Sequence, residues 1–129
     1  MAEMNAVLRQ AHLDRVTRKR HRGGTIRAFR VPAAGAQFHT IEIEVLPGDA
    51  LGTIVWDGAV ILSSLLHDSI RRFDREAPLQ AVELGSGTGL LGIAAAALGV
   101  RVLLTDAEGL DLMERNARRE MRRKMNNGL

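Results

Sequence analysis

Glu83-Leu84-Gly85-Ser86-Gly87-Thr88-Gly89 closes a short apolar run over residues 79–84 and leads into a strong helix former, residues 90–98, that Gly99 ends. A second apolar run over residues 100–105 follows directly. The order is strand, helix, strand. A crossover of that length joins parallel strands, normally right-handed, and runs without polar alternation imply a sheet covered by helices on both faces. The glycines therefore fall where an open α/β sheet binds nucleotides, at the turn from its first parallel strand into the following helix. Lacking Cβ atoms, they permit a tight turn and let backbone N–H groups at the helix N-terminus come close to a ligand. Asp106 stands 21 residues after Gly85, at the end of the second parallel strand. A carboxylate there can accept both hydroxyls of a ribose.

Two cofactors compete for this loop, because Gly87-Thr88-Gly89-Leu90-Leu91-Gly92 also matches the dinucleotide pattern G-x-G-x-x-G. Asp106, 19 residues after Gly87, suits a nicotinamide dinucleotide equally well. Glu83 separates the two readings. A dinucleotide turn holds a pyrophosphate, which an adjacent acid repels. A carboxylate two residues before the first glycine instead suits a cofactor that brings a cationic methionyl ammonium. S-adenosylmethionine is such a cofactor, with the dinucleotide as the alternative.

Ahead of the loop, Trp56 precedes Asp57, which reads as the N-cap of a helix through Ala59, Val60, Ile61, Leu62, Leu65, Leu66, Ile70 and Phe73. So much apolar surface predicts a mostly buried helix. Residues 25–31 and 38–46 read as strands around Pro32-Ala33-Ala34-Gly35, with Ile41, Ile43 and Val45 alternating against Glu42 and Glu44. That pattern is a hairpin with one wet face. Further out, Met4, Val7, Leu8 and Ala11 recur at helical spacing over residues 3–14, and that helix frays into Arg18-Lys19-Arg20-His21-Arg22 before Gly23-Gly24. On the other side, residues 111–125 read as a helix with Met113, Ala117, Met121 and Met125 as a core-filling stripe and the arginines opposite.

A chain of 129 residues, 46% hydrophobic and 26% charged, suits one globular domain and disfavours disorder, collagen-like repeats and long coiled coils. The absence of cysteine removes disulfide frameworks, thiolate zinc sites and thiol nucleophiles. His12, His21, His39 and His67 have no metal-ligand spacing, so no metal is expected. Residues 89–100, the longest run without a charged or polar side chain, fall far short of the ~20 apolar residues a membrane span needs. No secretion signal is legible at the N-terminus, and cytosol or nucleus is the expected location. The net charge of +3 belongs to the ends: residues 1–30 hold eight basic against two acidic side chains, residues 31–114 four against twelve, and residues 115–129 six against one. The first basic cluster could meet phosphates, but Phe29, Phe38, Trp56 and Phe73 are the only aromatic rings and none is interleaved with it. Nucleic-acid binding is therefore disfavoured, and the cluster reads as a solvated arm.

Three stretches, Val55-Trp56-Asp57-Gly58-Ala59-Val60-Ile61-Leu62-Ser63-Ser64-Leu65-Leu66, then Val82-Glu83-Leu84-Gly85-Ser86-Gly87-Thr88-Gly89-Leu90-Leu91-Gly92-Ile93, then Leu104-Thr105-Asp106, occur in an order that resembles methyltransferase family 16. Its best-known members are seven-β-strand protein-lysine methyltransferases of the methyltransferase-like 21 type. The resemblance covers about residues 25–119, including the hairpin and Asn116, which falls at the position of a family asparagine. It implies an α/β fold of the Rossmann-like, S-adenosylmethionine-dependent methyltransferase kind, incomplete, with an N-terminal β-hairpin. Residues 1–24 would be a basic arm or helix, and residues 25–129 the N-terminal part of the methyltransferase domain.

By that resemblance, Gly85, Ser86 and Gly87, with Gly89 ending the loop, would wrap the methionyl end of the cofactor. Asp106 would hold the ribose, Trp56 would line the pocket, and Glu83 would orient the loop or the ammonium. The implied partner is a protein presenting a lysine. No residue here reads as a catalytic base, so methyl transfer would rest on positioning the reactants. Family members continue through further strands that carry the substrate-side motifs, and this sequence stops at Leu129. The chain is therefore expected to be the N-terminal half, a truncated form inactive by itself. Val82 and Leu84 would then present an apolar strand edge with unpaired backbone groups, open to self-association. A non-catalytic interaction module using that edge is the second function class.

Overall fold

The computed structural model describes residues 19–21, 23–48, 50–73 and 76–128. The helix expected over residues 3–14 lies outside them. Strands β2 (Gly24–Pro32) and β3 (Phe38–Val45) form the hairpin, antiparallel and in register from Thr25 opposite Val45 to Pro32 opposite Phe38. Its turn is closed by the Ala33 N–H donating to the Gln37 carbonyl at 3.0 Å, with Gly35 at a φ of 68°.

Strand β1 (Lys19–His21) pairs antiparallel with β2, Lys19 opposite Ile26 and His21 opposite Gly24. Part of the basic cluster read as a solvated arm is thus the edge of a sheet. An edge strand is held by backbone bonds and favours charged side chains, so it shows no apolar alternation to read.

Phe29, Val31, Ile41 and Ile43 are buried against Leu90, Ile93 and Ala94 of helix α2 (Leu90–Ala97), and this cluster is the main core. The face expected to be wet is not: Glu44 is only 3% exposed. Helix α3 (Leu110–Asn126) covers it, bringing Arg115 to 3.4 Å and Arg119 to 3.6 Å from the Glu44 carboxylate. The stripe of α3 differs accordingly. Leu112, Met113, Asn116 and Glu120 are its buried residues, while Met121 and Met125 are exposed rather than core fillers. Arg119 and Arg123 turn inward because buried and half-buried acids of β3 await them, while Arg118 and Arg122 stay exposed as the stripe expected; Arg123 also donates to the Thr40 carbonyl at 2.8 Å.

Helix α1 (Asp57–Arg71) has Trp56, not Asp57, as its N-cap, and no side chain bonds the cap. The Trp56 carbonyl accepts the Ala59 and Val60 N–H groups at 3.0 and 3.3 Å. Only Ser63 and Ile70 of α1 are fully buried, against the expectation of a mostly buried helix. One flank packs on β2 and α2, and Leu62 and Leu65 on the other remain exposed.

Strands β4 (Gln80–Leu84) and β5 (Arg101–Thr105) are parallel, in register from Gln80 opposite Arg101 to Leu84 opposite Thr105, as the strand–helix–strand order requires. Gly92 lets α2 press onto this pair: a Cβ there would collide with Leu104, Glu83 and Val102. The expectation of helices on both faces fails, because strand alternation turns Val82, Leu84 and Leu103 to a face that nothing covers among the described residues. Among those residues β4 pairs only with β5, so its other edge is open, with Leu84 83% exposed. The architecture is mixed α/β, an incomplete Rossmann-like unit behind a hairpin. No helix among the described residues is long and apolar enough to cross a membrane.

Candidate functional site

The loop from Gly85 to Gly89 is fixed at the carboxyl ends of both parallel strands by a compact hydrogen-bond set. The Ser86 N–H donates to the Thr105 carbonyl at 2.9 Å, and the Thr105 N–H donates back to Ser86 Oγ at 3.1 Å. Ser86 Oγ and Thr105 Oγ1 both donate to the Glu83 carbonyl, at 3.2 and 2.8 Å. Ser86 is thus a loop anchor as much as a cavity residue. Gly85 and Gly87 have φ of 68° and 51°, and a Cβ on either would meet nothing within 4 Å. The loop bends in a region L side chains avoid and turns bare backbone toward open space.

That space is a cavity of about 410 Å³. Leu51, Ile54, Trp56, Ala59 and Leu62 form one wall, and residues 83–88 with Leu91 form the other. Trp56 is 52% exposed, its indole held by Nε1 donating to the Leu51 carbonyl at 3.0 Å. Of the candidate residues, Trp56, Glu83, Gly85, Ser86 and Gly87 line this cavity together. Gly89 does not. It caps α2 at a φ of 85°, where a Cβ would stand 3.2 Å from both Ile93 and Met113.

Asp106 is not among the residues lining the cavity but is tied to the loop at Gly87. Its Oδ2 accepts the Gly87 N–H at 2.6 Å and its Oδ1 the Glu108 N–H at 3.1 Å. Those backbone donors, Gly87 first, hold its carboxyl below the usual aspartate range. Glu83 moves the other way. Burial raises its pKa, the Gly92 N–H and the Ser86 hydroxyl oppose the rise, and the Asp106 charge adds to it. Glu83 Oε2 is buried without a hydrogen-bond partner, so the Gly92 amide eases that charge without satisfying it. The two carboxylates that spacing alone selected therefore share one end of the sheet, close enough to repel.

Sequence reasoning noted Asn116 by position but gave it no task. It is 0% exposed, and its carboxamide joins three segments. Oδ1 accepts the Glu44 N–H at 2.7 Å, while Nδ2 donates to the Glu44 carbonyl at 3.1 Å and to the Thr88 carbonyl at 2.9 Å. The only available signal was an asparagine in the interior of a helix, where the residue competes poorly unless its side chain is engaged. Among the described residues no cluster of three or more His, Cys, Asp or Glu could hold a metal ion.

The profile of a family described as lysine methyltransferase matches residues 36–127. Protein N-lysine methyltransferase METTL21A of Mus musculus is 38% identical over 95 residues, covering 70% of this chain and 42% of that protein. METTL21A of Xenopus tropicalis is 33% identical over 99 residues, covering 73% of this chain and 44% of its own length. Protein-lysine methyltransferase METTL21E of Mus musculus is 35% identical over 77 residues, with coverage of 59% and 31%. The chain spans less than half the length of these curated relatives. The matched region holds β3, α1, the glycine loop with both carboxylates, and α3, and over it the chain belongs to the lysine methyltransferase family.

Proposed function

We propose that this chain forms the cofactor-holding side of a protein-lysine methyltransferase, and that the cavity between Trp56 and the glycine loop takes S-adenosylmethionine. The supporting observation is the convergence of Glu83 and Asp106 on one loop whose glycines leave backbone bare. The residues fit such a group. Glu83 has a buried oxygen without a partner, which a cationic ammonium would satisfy. Gly85 and Gly87 leave a cradle that any Cβ would begin to fill. Asp106 spends one bond on each oxygen and keeps lone pairs for ribose hydroxyls. Trp56 supplies an apolar wall fixed in place by its indole bond.

When bound, the cofactor supplies an electrophilic methyl group on a sulfonium. The residues of this chain hold and orient: Glu83 would take the cationic end, the bare glycine backbone of the loop would lie against the methionyl end, and Asp106 would hold the sugar. A lysine amine becomes a nucleophile only once deprotonated, since its ordinary pKa is about 10.4, and the described residues around the cavity supply positioning rather than that proton transfer.

Trp56 is the sole tryptophan, so its fluorescence reports on the cavity directly. Titration of the chain with S-adenosylmethionine is expected to quench or shift that emission at concentrations where NAD does not. Asp106→Ala is expected to weaken binding by about 1.5–3 kcal/mol, the value of hydrogen bonds to a charged group. Tighter binding of NAD overturns the cofactor assignment, and an Asp106→Ala variant that binds like wild type removes the ribose role.

A further inference from the structure

Thr88 sits between two glycines of positive φ, Gly87 at 51° and Gly89 at 85°. Glycines on both sides make reorientation of the peptide between them inexpensive. The N–H groups of Gly87 and Gly89 are held by Asp106 and by the Ser86 carbonyl, at 2.6 and 2.8 Å. The Thr88 carbonyl is held by Asn116 Nδ2 at 2.9 Å. The rest of the same carboxamide exchanges two bonds with the Glu44 backbone, on the edge of β3 that no strand pairs among the described residues. A primary amide matches a peptide group in shape and in donor and acceptor, so Asn116 serves that edge as a single-residue strand partner. Both of its donors and one acceptor lobe are used, and its burial leaves no competing water.

We infer that Asn116 is a positioning residue for the cofactor site, locking the glycine loop in its binding-competent shape by tying the Thr88 carbonyl to the hairpin. The inference rests on the proposed function for its ligand, but the locking itself does not. Without the amide the Thr88 carbonyl loses its anchor, the loop divides its time between orientations, and apparent affinity falls by the fraction of time spent competent.

Two readouts test it. In the Trp56 fluorescence titration with S-adenosylmethionine, Asn116→Ala is expected to bind about tenfold more weakly, the effect of one buried hydrogen bond on that population. Ile41→Val thins the core elsewhere and is expected to bind like wild type while lowering the melting temperature. Unchanged affinity in Asn116→Ala, or an equal loss in Ile41→Val, overturns the inference. Amide hydrogen exchange without cofactor is expected to be faster at Gly87 and Gly89 in Asn116→Ala, with β2 amides unchanged; uniform acceleration overturns it. A wild-type chain that binds no S-adenosylmethionine defeats the proposed function, and the exchange pattern still decides the locking. Should Asn116→Ala not fold, the wild-type Asn116 carboxamide NMR signals are read during the titration. Movement with the Trp56 midpoint sustains the inference, and stationary signals overturn it.

Discussion

Glu83 keeps a carboxylate in a half-buried position, and burial is the first cause of its raised pKa. A group whose folded pKa is raised contributes its stability below the unfolded value and loses it as pH climbs through the folded value. Above that folded value the ionised Glu83 therefore works against the folded chain. Asp106 has the opposite sign: its lowered pKa adds stability above the ordinary aspartate range, lost as pH falls through the folded value. Glu83→Gln, which imitates the protonated form, is expected to melt above wild type at neutral pH. That gap should close on acidification through the Glu83 folded pKa, and S-adenosylmethionine affinity should fall throughout. Melting curves across that pH range check it, and a variant that melts below wild type at neutral pH contradicts the assignment. Stability given up at a binding group is a familiar trade. The loop and both acids were legible because turn chemistry and carboxylate spacing are local properties of the chain. The task of Asn116 was not, because it exists only once β3 and the Thr88 loop have been brought to the same helix.

At the scale of elements, every β-strand and α-helix from residue 24 onward falls within a few residues of its sequence expectation, while the 3-10 turn at Leu51–Thr53, the buried faces and the caps do not. Periodicity identifies a helix; which side it buries depends on what it meets. Arg115, Arg119 and Arg123 of α3 looked solvent-facing until β3 offered Glu42 and Glu44 to them, while Arg118 and Arg122 do face solvent. Asp57 looked like a cap because the residue type is a common one there, yet it stands one position inside the helix with no cap bond. Its remaining contribution is a negative charge in the first turn, favourable to the helix dipole. Asp57→Ala is therefore expected to cost about 0.3–1 kcal/mol at low ionic strength, fading as salt is added. A salt-independent loss in urea unfolding would instead mark a side-chain cap.

Across the whole molecule, apolar surface is distributed unevenly. The hairpin side is enclosed by α2 and α3, while Val82, Leu84 and Leu103 lie open on β4 and β5 beside Leu62 and Leu65 of α1. An unpaired strand edge next to such a face is a template for another strand. The isolated chain is expected to form larger species as its concentration rises, and Leu84→Lys, which puts a charge on that edge, to return it toward monomer. Light scattering over a dilution series decides this, and a wild-type chain that stays monomeric throughout contradicts it.

The two sheets also differ in reach. β2 and β3 are joined over eight register pairs, whereas β4 and β5 share five and have one side bare. Local opening follows such differences, so the parallel pair lets go before the β2–β3 hairpin does. The looser of these two joints thus lies directly beneath the candidate ligand, and any molecule spanning the tips of both ribbons acts as a splint against proteolytic nicking.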